Sequence, residues 1–116
     1  MILGNGVDII EVSRIESAIE RWGDAFLNHV FTDDEIAYAK QHKFPFPHYA
    51  GRFAAKEAIF KAMGDATLAW KDVSIINDAS GKPVCHFRKP NNKNILLSIS
   101  HSRDYAVASA IVTAQS

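Results

Sequence analysis

His48-Tyr49-Ala50-Gly51-Arg52-Phe53-Ala54-Ala55-Lys56-Glu57-Ala58-Ile59-Phe60-Lys61-Ala62-Met63 contains five alanines, one glycine near its start and no proline. Its helix propensity is high throughout, so the stretch predicts one long helix, with Gly64 as the stop. Its charges are unusual, because they interrupt a sequence that otherwise reads as largely buried. Glu57 and Lys61 stand four residues apart, on one helical face and in the favoured acidic-to-basic order. They are either an exposed pair contributing about 0.2–0.5 kcal/mol to the helix or part of a site.

Working toward the N-terminus, Phe44-Pro45-Phe46-Pro47 breaks the helical pattern before His48. Thr32 and Glu35 have capping-box spacing and start a helix through Ile36 to Lys40, with a short helix between Asp24 and Val30. Ser13 and Glu16 have the same spacing, and Ile15, Ala18, Ile19 and Trp22 recur at helical intervals. They predict a helix from about Arg14 to Trp22, stopped at Gly23. Ile2 to Ile10 is apolar and β-branched but interrupted by Gly4, Gly6 and Asp8, as in a strand that is bulged or closely approached by another backbone.

Beyond Gly64 the periodicity changes from helical to alternating. Val73 to Ile76, Val84 to Phe87, Ile95 to Ile99 and Tyr105 to Val112 read as strands, separated by turn chemistry at Asp78 to Pro83 and Pro90 to Asn92. One strand, a helical block and a strand block argue an α+β fold, with helices packed on an antiparallel or mixed sheet.

The chain has 116 residues, 47% of them apolar, with 13 basic residues balancing 13 acidic ones. One domain spanning 1–116 is expected. Neutral total charge disfavours nucleic acid or a membrane surface as partner, so any anion site must be local. Cys85 is the only cysteine, which fits a reducing cytoplasm and leaves it as a strand packing residue. No apolar run approaches the length needed to span a bilayer, and the N-terminus lacks a signal-peptide pattern.

Asp8 lies between Val7 and Ile9-Ile10, where a carboxylate needs a cation, donors or a solvated cleft, unless it faces outward on an edge strand. If Asp8 and Glu57 converge, two carboxylates with waters make a hard oxygen site suited to Mg²⁺, and Lys61 faces the same anion. Such a site neutralises a diphosphate and stabilises charge on a leaving phosphate. Ser98-Ile99-Ser100-His101-Ser102 ends a strand at a small polar turn suited to an anionic ligand, or is simply a surface turn. A Ser-His triad is the weaker reading, since no G-x-S-x-G elbow is present. His29, His42, His48 and His86 lack metal-ligand spacing.

Four blocks in order resemble the holo-acyl-carrier-protein synthase family, the small trimeric type of 4′-phosphopantetheinyl transferase. They are Gly6-Val7-Asp8-Ile9-Ile10 with Arg14, Arg52-Phe53-Ala54-Ala55-Lys56-Glu57-Ala58 with Lys61, Ser80-Gly81-Lys82-Pro83, and Leu97-Ser98-Ile99-Ser100-His101-Ser102. The resemblance implies Mg²⁺-dependent transfer of 4′-phosphopantetheine from coenzyme A to a serine hydroxyl of apo-acyl carrier protein, releasing adenosine 3′,5′-bisphosphate. It implies Asp8 and Glu57 as metal ligands and Lys61 as the group that stabilises the diphosphate. The proton acceptor is left open between Glu57 and a metal-bound water. Arg52, Gly81, Lys82, Pro83, Ser100 and His101 are implied near coenzyme A, with Lys43 as a further candidate. A homotrimer with active sites between neighbouring subunits is also implied.

Arg14 and Arg21 stand about two turns apart on one side of the first helix, and with Phe26 they suit an acidic carrier helix. The segment His42 to His48 departs from the basic segment of relatives, and Gly64-Asp65-Ala66-Thr67 is less glycine-rich than the usual loop. Three alternatives compete with the transferase: a Mg²⁺-dependent phosphoesterase using the same carboxylates, a non-catalytic module binding coenzyme A or acyl carrier protein, and a degenerate family member that no longer binds coenzyme A.

Overall fold

The computed structural model describes residues 1–115, ordered as β1 (Ile2–Glu11), α1 (Val12–Trp22), α2 (Asp24–Val30), α3 (Asp33–Lys40), α4 (Phe46–Met63), β2 (Val73–Asn77), β3 (Pro83–Phe87), β4 (Lys93–His101) and β5 (Tyr105–Ala114). The strands form two antiparallel sheets: a three-stranded sheet in the order β1-β5-β4 and a β2-β3 hairpin. This is the expected α+β class, with every described pairing antiparallel.

Helix α4 lies across the three-stranded sheet, and its small residues determine how closely. Ala54, Ala58 and Ala62 pack with Leu97, Ala108, Ala110 and Val112 in one core cluster, which Ala55, Ile59, Val73 and Ile75 extend toward the hairpin. On β1 the facing positions are Gly4 and Gly6, where a Cβ would collide with the Ala62 and Ala58 carbonyls respectively. The register of β1 also shifts between Ile2 and Gly4, so the interrupted strand is both bulged and closely approached. A second cluster, including Ile15, Val30, Phe31, Tyr49 and Ala106, joins α1, α2 and α3 to the N-terminal half of α4.

Several boundaries moved for local reasons. Helix α4 begins at Phe46 rather than His48, because Pro47 sits in the first turn, where its missing N–H breaks no helical bond. It ends at Gly64, which takes the left-handed conformation at φ 64°. Helix α1 begins at Val12, with Glu11 as its N-cap and no side-chain cap bond. The Ser13–Glu16 capping box is therefore not used. Val12 is buried and its N–H donates to the Asp104 carbonyl at 2.8 Å, which draws the chain into the helix before Ser13 is reached. The Thr32–Glu35 capping box is present as expected.

The same Glu35 reaches further. Its Oε1 accepts from the Thr32 N–H at 2.8 Å and pairs with Lys56 Nζ at 2.8 Å, while its Oε2 accepts from the Ile75 N–H at 2.7 Å. Lys56 Nζ also donates to the carbonyls of Val30, Trp70 and Val73 at 2.9, 2.8 and 2.7 Å. Neither side chain of the pair is exposed. A buried ion pair survives only when its remaining polar atoms are satisfied in this way. Here it pins α4 simultaneously to α3, to the turn before β2 and to β2 itself.

Candidate active site

Alternation along β1 sends Gly4, Gly6, Asp8 and Ile10 toward α4, and Val7 and Ile9 to the opposite face. Asp8 is thus turned inward on its edge strand, with its side chain 17% exposed. Because Gly4 and Gly6 let α4 come close, the C-terminal half of the helix brings its charges to this carboxylate. Lys61 Nζ lies 3.2 Å from Asp8 Oδ1 and donates to the Val7 carbonyl at 3.0 Å. Lys61 therefore reaches across to Asp8 instead of forming the helix-surface bridge with Glu57 that spacing alone allows.

Glu57 stands close enough to feel both charges. Burial first, then the Asp8 charge, raises its carboxyl above the usual range, against a smaller lowering by Lys61. Two carboxylates and one ammonium within electrostatic reach of one another leave a net negative charge in a half-buried place. A shallow groove of about 500 Å³ opens beside Lys61, lined also by Asn5, Gly6, Val7 and Ser109.

The other candidates collect elsewhere. Arg52 is buried, donates to Asn77 Oδ1 at 3.0 Å and lies with its guanidinium carbon 4.2 Å from the centre of the Tyr38 ring. Asn77 ends β2 at the base of the turn holding Gly81, Lys82 and Pro83. There the Asp78 carboxylate accepts from the backbone N–H groups of Ser80 and Lys82, and Gly81 adopts φ 88°. The His101 ring meets that of His48 at 5.2 Å.

On α4, Arg52 and Lys61 are nine positions apart, as are His48 and Glu57. Nine residues make two and a half turns, so the two groups occupy opposite flanks of the helix. One flank lies over β1 and the other reaches β4, the two edges of the sheet. A single chain does not bring Asp8, Glu57 and Lys61 together with Arg52, His101 and the Gly81-Lys82-Pro83 turn. Ser100 and His101, adjacent in sequence, also point to opposite faces of β4, and Ser100 pairs with Val107 on the face away from α4.

Arg14 and Arg21 are exposed on α1, with the Arg21 guanidinium carbon 4.9 Å from the centre of the Trp22 ring. Phe26 is half-buried and meets Phe31 edge-on at 6.2 Å, so it serves the second core as much as the surface. Lys43 is exposed between α3 and α4. Cys85 is partly buried against the first core, and burial pushes its thiol up to about 12, as suits a packing residue. His42 and His48 carry no metal spacing in sequence, yet the fold stacks their rings with centroids 3.6 Å apart. No local pattern signals that meeting, which depends on how the connection after α3 returns to α4. Among the described residues, no group of three or more His, Cys, Asp or Glu side chains forms a metal cluster.

Comparison with known proteins agrees with this architecture. The family model for the 4′-phosphopantetheinyl transferase superfamily matches residues 4–110. The chain is 46% identical to holo-acyl-carrier-protein synthase of Thermodesulfovibrio yellowstonii, over 97% of this chain and 100% of that protein. It is likewise 46% identical to the synthase of Protochlamydia amoebophila, over 96% and 98% of the two chains. The crystal structure of a holo-acyl-carrier-protein synthase from Bacillus anthracis in complex with CoA (3′,5′-ADP) superposes with a TM-score of 0.87 at 37% identity, covering 100% of this chain and 99% of that one. With the family model matched over residues 4–110 and relatives 46% identical along nearly its whole length, the chain belongs to the holo-acyl-carrier-protein synthases, enzymes of the 4′-phosphopantetheinyl transferase superfamily.

Proposed function

We propose that the protein transfers 4′-phosphopantetheine from coenzyme A to a serine hydroxyl of apo-acyl carrier protein, in the cytoplasm, and releases adenosine 3′,5′-bisphosphate. The observation that carries the reading is the convergence of Asp8, Glu57 and Lys61, from elements far apart in sequence, at one half-buried place. The serine oxygen forms a bond to the β-phosphorus as the bridging oxygen leaves with the adenosine bisphosphate, and the serine proton passes to a base. Glu57, its proton affinity raised by burial and by Asp8, suits that acceptor role, alongside water held at the site. Lys61 donates to the diphosphate and to the departing phosphate oxygen.

Asp8 and Glu57 fit a divalent cation, because two hard oxygen donors with excess negative charge and open positions are what Mg²⁺ takes together with a substrate phosphate. When bound, Mg²⁺ supplies neutralisation of the diphosphate and polarisation of the phosphorus.

The opposite placement of the two candidate groups favours a site shared between copies of the chain. Asp8, Glu57 and Lys61 of one subunit take the diphosphate, and Arg52, His101 and the Gly81 to Pro83 turn of the next take the adenosine end. The sheet face away from α4 supports this assembly, since Val7, Ile9, Leu96, Tyr105 and Val107 stand exposed there as an apolar surface. We assign it to the interface of a homotrimer. Arg14 and Arg21, with Phe26 beside them, form the surface for the acidic carrier.

Incubating the chain with apo-acyl carrier protein, coenzyme A and Mg²⁺ and then weighing the intact carrier tests the reading, with a chelator control. A phosphopantetheine mass increase that disappears with chelator is the expected result. Hydrolysis of coenzyme A without a carrier adduct would point to the phosphoesterase instead. Tight binding with neither reaction would leave a binding module.

A further inference from the structure

The side chain suited to the diphosphate is already engaged in the free chain. Lys61 Nζ donates to Asp8 Oδ1 at 3.2 Å and to the Val7 carbonyl at 3.0 Å. Asp8 is therefore paired before any cation reaches it, and Lys61 is paired before any phosphate does. Glu57 lies within electrostatic reach of both charges. Filling the site requires Asp8 and Lys61 to part.

Lysines 56 and 61 of α4 are held in different ways. Lys56 Nζ is buried among Glu35 Oε1 and the carbonyls of Val30, Trp70 and Val73, which leave none of its hydrogens unused. Lys61 has only the two acceptors on β1, and half of its side chain is exposed. It also stands between two grooves: the one that opens beside Gly6 and Val7, and a second of about 370 Å³ bounded by Phe60, Gly64 and Leu68. Its flexible four-carbon stem can swing away from Asp8 without displacing a packed neighbour. An exposed pair of this kind is weak, so the contact exchanges readily.

Charge decides when that exchange happens. A divalent cation arriving alone at Asp8 and Glu57 meets an ammonium with no other anion to turn to, and the like charges repel at close range. A diphosphate arriving alone meets two carboxylates. When both arrive together, Lys61 passes from Asp8 to the diphosphate, Asp8 is left for the metal, and every charge gains an opposite neighbour. We propose that Lys61 is a resident countercation for Asp8, which opposes a free divalent cation and makes the site select coenzyme A as its metal chelate. The inference rests on coenzyme A being the substrate and on Asp8 and Glu57 being the metal ligands. Lys61 then acts twice, as a placeholder in the free chain and as a phosphate donor in the complex.

The consequence is a coupling between metal and substrate, and it is reciprocal. Movement of Lys61 relieves repulsion only when both ligands are present, so each tightens the other by the same factor. A lysine fixed in place would repel the metal and attract the diphosphate independently, and would add nothing to that factor.

Mn²⁺ is the probe, its free concentration read by electron paramagnetic resonance in solutions of the full chain without coenzyme A. Lys61→Met should bind Mn²⁺ about tenfold more tightly than the unaltered chain, the scale of one charge removed from beside a dication at a half-exposed place. Lys61→Arg keeps the charge and should bind like the unaltered chain. A purely structural Lys61 would give the opposite sign, because loosening α4 from β1 separates Glu57 from Asp8 and weakens Mn²⁺ binding. Calorimetric titration of coenzyme A with and without Mn²⁺ then reads the coupling, which should be strong in the unaltered chain and several-fold smaller in Lys61→Met. Mn²⁺ binding by Lys61→Met that is equal to or weaker than that of the unaltered chain overturns the proposal, as does a coupling factor that the substitution leaves unchanged. Absence of coupling in the unaltered chain overturns it without recourse to any variant. If coenzyme A binds under no condition, the transferase reading fails and takes this inference with it, whereas coenzyme A binding that ignores Mn²⁺ removes the inference alone.

Discussion

Lys61 Nζ sits 3.2 Å from Asp8 Oδ1, joining the C-terminal half of α4 to the edge strand β1. The Lys61 side chain is 52% exposed, so the pair contributes little to stability, about 0–1 kcal/mol. Its value lies in aiming an ammonium at the groove. Lys61→Met should leave the unfolding midpoint almost unchanged and lower carrier modification by about 10²-fold or more, the cost of removing one charge-stabilising donor. Denaturant unfolding and rate measurements on one preparation check both halves. A variant that loses stability and activity in parallel would return Lys61 to a structural role.

Glu57→Gln conserves shape while deleting a charge from the Asp8–Glu57 pair. It should nearly abolish transfer and remove the Mg²⁺ dependence of any residual rate, with the assembly intact by sedimentation. Transfer at the unaltered rate by the folded variant would exclude Glu57 as a ligand or base.

The Lys56–Glu35 pair should behave in the opposite way to Lys61. Removing the ammonium with Lys56→Met leaves a carboxylate buried without its countercharge, and should cost about 3–5 kcal/mol. Urea unfolding reads this directly. A loss below about 1 kcal/mol would mean that water reaches Glu35 once the lysine is gone.

Gly6→Ala places a methyl against the Ala58 carbonyl, a backbone atom that cannot turn aside. Helix α4 must lift from β1, at a cost of about 1–3 kcal/mol, and Glu57 and Lys61 move away from Asp8 with it. Reduced stability together with a fall in activity is expected. Full activity in a destabilised variant would show that the site tolerates the displacement.

His48 makes stability depend on acid. Its folded value of about 4 lies below the ordinary 6.5, so the unfolded chain binds more protons between these limits. Stability is therefore fully present above pH 6.5 and is lost as pH falls toward 4, by about 1–2 kcal/mol once partial solvent screening of the ring is allowed for. Urea midpoints at several pH values should show this slope, and His48→Gln should flatten part of it.

Much of the fold was legible locally. Alanine-rich α4, the Thr32–Glu35 cap and the alternating strands after Gly64 each follow from short-range propensity and period, which act within a few residues. The Ser13–Glu16 cap misled because Val12 finds its partner in Asp104, a contact that no window around Ser13 contains. Lys56 stood in the most recognisable stretch of the chain, yet its role depends on carbonyls of Val30, Trp70 and Val73 drawn from three separate segments.

By itself, the sequence determined the residue types able to do the chemistry, the small residues that permit close packing, and the family resemblance carried by ordered motifs. Tertiary structure decided which of those residues meet. It turned Asp8 inward to Lys61, put Arg52 and His101 on the opposite flank from Glu57, and stacked His42 on His48. The reason is physical: propensity and periodicity are properties of neighbours along the chain, whereas a site's electrostatics is a sum over neighbours in space. In this protein those neighbours come from strand, helix and loop segments up to 54 positions apart.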